Sequence, residues 1–407
     1  MPMLPPRVAI LHQGCVPTYR RAFYERLGAI AERSYVVFHG QAEPGSGITA
    51  APPPFSFAHV SVRNRFWRLG SRSLIYQPVF LRILGGGFDA LVIGHEVKYA
   101  ANIALALLFR ARGKPVLLWG FGRNLDIQKD RRSPLGRWVG HAVRRAQGFM
   151  LGVATDFLAY TAKGAEHAIE AGMPRDRVTV LNNTIDTSRE VASHARAQSL
   201  DRTALRRELG LSDGAVVFLF VGRLNADKRV DRLIEAVRGL RRQSGAALEV
   251  LIVGGGPSDA SLRALAAGES WCRFLGEIHD SEMLGRMFRT SDAVVIPGYV
   301  GLAVNHAFAH GLPVITCRSD VHSPEIEYIE PDINGMILPS LEVLASGLLR
   351  FADSAELRRD LAAGALRSRE KLDLGHMVEA FDQGVRRALD RSTSRHLSDP
   401  LLKTGSP

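Results

Sequence analysis

Cysteine is scarce in this sequence: three in 407 residues, Cys15, Cys272 and Cys317, far apart and without a CxxC pair. That excludes a disulfide framework or a thiolate zinc site and fits a reducing compartment. Long apolar runs are missing too. The run inside "MPMLPPRVAILHQGC" is too short for a secretory signal. None reaches the roughly 18 residues that cross a bilayer. The best, "ANIALALLF" (Ala101–Phe109), follows Glu96 and Lys98 and reads as a buried helix. No GxxxxGK[ST] phosphate loop occurs, which argues against a P-loop nucleotidase. Acidic residues are outnumbered: 52 Lys and Arg against 41 Asp and Glu leave a net charge of +11. Such an excess favours acidic partners, namely nucleotides, nucleic acid or anionic lipid. From Arg110 to Arg145 there are ten Lys or Arg against two Asp. With no recognised nucleic-acid module, that stretch fits an anionic membrane surface or lipid diphosphate better than nucleic acid.

What is present is an ordinary globular composition, 46% apolar and 23% charged, at a length suited to two domains. Short apolar runs alternate with helical patterns: "RVAIL" (Arg7–Leu11), "SYVVF" (Ser34–Phe38), "DALVI" (Asp89–Ile93), "PVLLW" (Pro115–Trp119), "FLAYT" (Phe157–Thr161) and "RVTVLNN" (Arg177–Asn183). This is the βαβ signature of a parallel sheet covered on both faces. "QAEPGSGITAAPPPFSF" (Gln41–Phe57) reads as a surface excursion. A long helix starts near Pro134, with Val139, Ala142, Val143, Ala146, Phe149, Met150 and Val153 on its apolar side and Arg137, His141, Arg144 and Arg145 opposite. The pattern restarts with "AVVFLFV" (Ala215–Val221), "LEVLIV" (Leu248–Val253), "RFLG" (Arg273–Gly276), "DAVVI" (Asp292–Ile296) and "PVIT" (Pro313–Thr316). The expected organisation is α/β: an N-terminal Rossmann-like domain over 1–185, a polar linker over 186–201, a second doubly wound domain over 202–375, a helix over 376–391 and a flexible tail over 392–407.

Open α/β sheets bind ligands where strands end. In "FLFVGRLNADKRVDRLIEAV" (Phe218–Val237) Gly222 follows the strand, then come Arg223 and Lys228, a forked cation and a point charge suited to a diphosphate. "VGGGP" (Val253–Pro257) is not a dinucleotide fingerprint, because Asp259 stands where a third glycine is needed; Gly254 and Gly256 read as a tight turn beneath a ligand. "IPGYVGLAVNHAFAHGLPVIT" (Ile296–Thr316) carries a glycine loop and a helix starting near Leu302, whose N–H groups suit a phosphate or sugar hydroxyl. Val300, Gly301, Asn305, His306 and His310 belong to it. In "SDVHSPEIEYI" (Ser319–Ile329) Pro324 and Ser323 suit a helix start, and Glu325 could accept from ribose or sugar hydroxyls. In the N-terminal half, Gly14 of "HQGCVPTYR", His95 and Glu96 of "IGHEVK", and Arg123 and Asn124 of "WGFGRN" follow strands and share one sheet edge. Glu96 and His95 could handle protons.

Taken together, "FVGRLNADKRVDRLIEAV", "VTVLNNTID", "VLIVGGGP", "GLAVNHAFAHGLPVIT", "HSPE" and "YTAKGAEHAIEAGMP" resemble family-4 retaining glycosyltransferases over most of the chain. The resemblance implies a GT-B fold: two Rossmann-like domains facing a cleft, with the last helix crossing back to the first. It implies a nucleotide-sugar donor held by the C-terminal domain and a glycan, lipid-linked or small-molecule acceptor on the N-terminal one. Arg223 and Lys228 would stabilise the departing diphosphate, Glu96 would serve catalysis, and His95, Arg123 and Asn124 would face the acceptor. Gly14, Gly222, Gly256, Val300, Gly301, Leu302, Asn305, His306 and Glu325 would bind the donor. No DxD triplet occurs, in keeping with a family that needs neither metal nor cofactor. The implied location is cytoplasmic, at the inner face of the plasma membrane. Family members commonly carry two glutamates around the glycine loop; here those positions hold Gly298 and His306. That departure keeps two alternatives open: a catalytically impaired nucleotide-sugar-binding protein and a sugar-nucleotide epimerase.

Overall fold

The computed structural model describes residues 4–12, 14–46, 48–69, 72–122, 134–319 and 322–398. They form two compact units, one of residues up to Ile185 together with the chain from Leu374 onward, the other Asp186–Asp373. The first unit holds strands β1 (Arg7–Leu11), β2 (Ser34–His39), β3 (His59–Ser61), the hairpin β4 (Arg65–Leu69) and β5 (Arg72–Tyr76), then β6 (Ala90–Gly94), β7 (Val116–Gly120), β8 (Asp156–Ala159) and β9 (Val178–Val180). Its main sheet runs β3-β2-β1-β6-β7-β8-β9, all parallel. The second unit holds β10 (Val216–Val221), β11 (Leu248–Val253), β12 (Cys272–Gly276), β13 (Ala293–Val295), β14 (Val314–Cys317) and β15 (Gly335–Leu338). Its sheet runs β12-β11-β10-β13-β14-β15, again all parallel.

Strands such as "VVFLFV" are apolar at every position because helices cover both faces. The first unit's sheet has a core on each face. In the first unit Val8, Ile10 and Val92 face one way and Ala9, Leu11 and Leu91 the other. Strand order reverses between β1 and β6 and again between β10 and β13. These are two Rossmann-like units, the make-up of the GT-B fold. The switch points are where such sheets take ligands.

Several expectations need correction. The stretch read as a linker contains the helix Ser188–Gln198. It packs in the second unit on the helix Ser281–Thr290, where Gly285 leaves room for Ser193, whose Oγ donates to Ser281 O at 2.7 Å. The last helix is longer than expected, Leu374–Ser398, so residues 392–398 are helical rather than tail. Met377, Phe381, Val385 and Ala388 recur at helical spacing and are buried against Phe23 and Trp119 of the first unit. Asp382 pairs with Arg33 and accepts from Tyr35 OH at 2.6 Å, and Arg391 pairs with Asp156. In the helix Pro134–Val153, Phe149 is 51% exposed instead of buried. Among the described side chains of this helix the buried positions are Gly140, Gln147, Met150 and Leu151. At 3.6 residues per turn they share an arc of about 100°, and Phe149 falls opposite it.

Candidate functional site

At the second unit's switch point, β10 runs into Gly222 and Arg223, a single turn at Ala226–Lys228, then Arg229 in the left-handed region (φ 56°) and the helix Val230–Ser244. Arg223 is exposed. The loop after β11 lies directly beneath. Gly222 N donates to Val253 O at 3.0 Å, Leu224 N to Gly255 O at 2.9 Å and Ser258 N to Leu224 O at 2.9 Å. A Cβ on Gly254 would strike the Gly222 carbonyl oxygen, so backbone must meet backbone here. The glycine triplet, with Gly256 as its last member, is thus the floor of the Arg223 loop.

The β13 exit is fastened to the same loop from the side. Gly298 N donates to Lys228 O at 3.0 Å and Tyr299 N to Asp227 O at 2.9 Å. Lys228 Nζ in turn donates to Tyr299 O at 2.6 Å and reaches Val300 O at 3.4 Å. An ammonium has three N–H donors, and these two carbonyls take two. Burial lowers the Lys228 pKa, against the upward pull of Asp227 and Glu325. A Cβ on Gly298 would run into the Asp227 carbonyl oxygen. The docked loop has no room for a side chain at this position.

Past that loop, Gly301 N donates to Ser323 Oγ at 2.9 Å. The following helix is short, Ala303–Ala309, and Val304 and Asn305 N–H groups turn back onto Gly301 and Leu302 carbonyls. The Val304 and Asn305 N–H groups are thus engaged within their own turn. Asn305 is buried. His306 Nδ1 lies 3.1 Å from Glu190 Oε1 on the helix Ser188–Gln198, so a carboxylate reaches this position from another element. Glu325, in the turn Pro324–Tyr328, is buried at 4% exposure.

His322, which the sequence reading passed over, belongs to this edge. Its Nε2 donates to Cys317 O at 2.7 Å at the end of β14, which leaves Nδ1 as an acceptor. Nδ1 has no partner among the described residues. Burial lowers the pKa, and Lys228 adds to it, so the ring is neutral near pH 7. The signal was visible in "HSPE", but a lone histidine there carries no spacing to distinguish it.

The first unit's switch point is also tied together. Gly14 N donates to Tyr99 OH at 2.9 Å, and Gly14 O accepts from Asn64 Nδ2 and Gly40 N, both at 2.7 Å. The Gly14 N–H is thus engaged inside its own unit. Glu96, expected as a proton carrier, pairs with Lys98 at 2.8 Å. His95 is buried with Nε2 3.3 Å from Gln147 O, and burial lowers its pKa. The more developed cluster here is His12, stacked on Trp119 at 3.7 Å with Nε2 2.7 Å from Tyr160 OH. Burial first, then Arg20 and Lys98, holds the His12 pKa well below its usual value. Arg123 and Asn124 lie outside the described residues. Among the described residues no group of three or more His, Cys, Asp or Glu could hold a metal ion, and no helix is long and apolar enough to cross a membrane.

Residues 201–367, within the second unit, match the family model of glycosyl transferases group 1. The chain is 34% identical over 199 residues to a D-inositol 3-phosphate glycosyltransferase of Nocardia farcinica, covering 46% of this chain and 41% of the relative. It is 28% identical over 241 residues to an alpha-D-kanosaminyltransferase of Streptomyces kanamyceticus, 57% and 58% of the two chains. The aligned part of the Nocardia relative is less than half its length. Among solved structures, Anabaena HepE in complex with UDP matches with a TM-score of 0.65 at 14% identity, over 94% of this chain and 100% of that one. Sucrose-phosphate synthase from Thermosynechococcus elongatus matches with a TM-score of 0.64 at 16% identity, over 95% and 100%. At such identities the agreement is one of fold.

Proposed function

We propose that this protein is a retaining glycosyltransferase of the family-4 type. It moves a sugar from a nucleotide-sugar to a glycan, lipid-linked or small-molecule acceptor, without a metal ion. The observation that carries this reading is the pair of cations at the β10/β13 switch point. Arg223 stands exposed on a glycine floor, and among the described residues Lys228 is held by two carbonyls, which leaves a third N–H donor. HepE, solved with UDP, supports a nucleoside diphosphate as the ligand class.

In the reaction the bond between the anomeric carbon and the diphosphate oxygen breaks. Its electron pair goes to the phosphate oxygen, the acceptor oxygen bonds to the carbon, and the acceptor hydroxyl's proton passes to the departing phosphate. Negative charge grows on the leaving group, and fixed cations in a low-dielectric site stabilise that growth. Lys228 is suited to this because its ammonium is already desolvated and positioned. His322 Nδ1, the Glu190–His306 pair and Glu325 are acceptors on this edge suited to sugar or ribose hydroxyls.

Arg223→Ala and Lys228→Ala should each lower turnover at least about tenfold, the loss of one charge-assisted contact. The assay follows release of nucleoside diphosphate and reads the product's anomeric configuration by NMR. A product with inverted configuration, or full turnover in both variants, overturns the reading. Turnover of the sugar-nucleotide without any acceptor would point to an epimerase instead.

A further inference from the structure

The helix Pro134–Val153 of the first unit presents an exposed face that no other described residue covers. Trp138 is 70% exposed and Phe149 51% exposed. Single exposed apolar residues are ordinary, but these two are placed together. At 3.6 residues per turn Trp138, Arg145 and Phe149 fall within an arc of about 40°, with the two aromatics about 16 Å apart along the axis. His141 and Arg144 lie to one side of them, and among the described side chains the other exposed positions are small: Ala142, Gly148 and Gly152.

Charge is as one-sided as shape. Pro134–Val153 contains Arg137, Arg144 and Arg145 and no acidic residue. The helix packed beside it, Ala100–Ala111, also has none and adds the exposed Leu107 and Arg110. Two rings that can enter the headgroup layer, cations beside them and small residues between them describe a helix that lies on an anionic surface. Trp is favoured at that depth because its ring is apolar and its N–H polar.

We infer that this face, centred on Trp138, Arg145 and Phe149, docks the protein on an anionic lipid bilayer with the helix lying in the interface plane. The binding combines insertion of two rings with attraction of the arginines to lipid phosphates. It stands apart from the reading of the second unit's site.

The test is co-sedimentation of the full chain with vesicles of phosphatidylcholine alone and of phosphatidylcholine and phosphatidylglycerol in equal parts. The expected result is binding to the mixed vesicles that weakens as salt rises, with little binding to the neutral ones. Trp138→Ser with Phe149→Ser, and separately Arg144→Glu with Arg145→Glu, should each weaken it at least about tenfold. Both pairs lie outside the buried arc, so their melting temperatures and nucleoside diphosphate binding should match the wild type. Equal binding to both vesicles, no binding, or binding that neither pair of substitutions weakens overturns the inference. So does RNA displacing the vesicles through the same arginines.

Discussion

His310 is the residue whose environment costs the fold most plainly. It is buried, stacked on Phe288 at 4.1 Å, and neither ring nitrogen has a partner among the described residues. Burial lowers its pKa to about 3, helped by His194, His306 and Arg369. The unfolded chain takes up this proton near pH 6.5, well before the folded one does. Stability is therefore complete above that value and is lost as pH falls towards 3, by at most about 1.4 kcal/mol per pH unit. Urea titrations between pH 7 and pH 4 should show this slope, and His310→Phe, which keeps the stacking, should flatten it. An unchanged slope would assign the acid sensitivity to other groups.

At the scale of elements, the structure turns on loops locked by their backbones. The Gly298 loop docks on Asp227 and Lys228 with no space for a Cβ. Gly298→Ala should therefore cost about 1–3 kcal/mol, the usual toll of overpacking, read as a lower melting temperature. It should weaken nucleoside diphosphate binding as well, since the same loop supplies the carbonyls that hold Lys228. Stability and binding both unchanged would mean that the loop does not dock this way.

Much at this scale was legible in the sequence. "RVAIL" and "LEVLIV" are strands end to end, because a doubly covered parallel strand is a nearly continuous apolar run, broken here only by Arg7 and Glu249. The cations of "FVGRLNADK" could be placed because they follow such a strand. What stayed hidden depends on tertiary contact. The three residues of β3 and the hairpin β4–β5 are too short or too mixed to show a period. The helix at Ser188–Gln198 is polar and buries little beyond Ser193 and Ala197. The Pro134–Val153 helix has apolar residues on two sides, so periodicity alone put Phe149 on the wrong one. Tyr99 reaching Gly14, and Glu190 reaching His306, join residues far apart in the chain that no local pattern connects.

At the scale of the whole molecule, the chain is two units with separate cores, and the first is completed by the last helix. Phe381 is fully buried between Phe23 and Trp119. Phe381→Ala should cost about 3–5 kcal/mol. In hydrogen exchange the loss should appear in the seven-stranded sheet and leave the six-stranded one protected. Equal loosening of both sheets would show that the units do not carry independent stability.

The most direct measurement is calorimetric titration with UDP, GDP, dTDP and ADP of the wild type, Arg223→Ala and Lys228→Ala. The expected result is binding of one nucleoside diphosphate by the wild type, weakened at least about tenfold in each variant. Binding that both substitutions leave intact, or no binding of any of the four, would contradict a diphosphate site at the β10/β13 switch point.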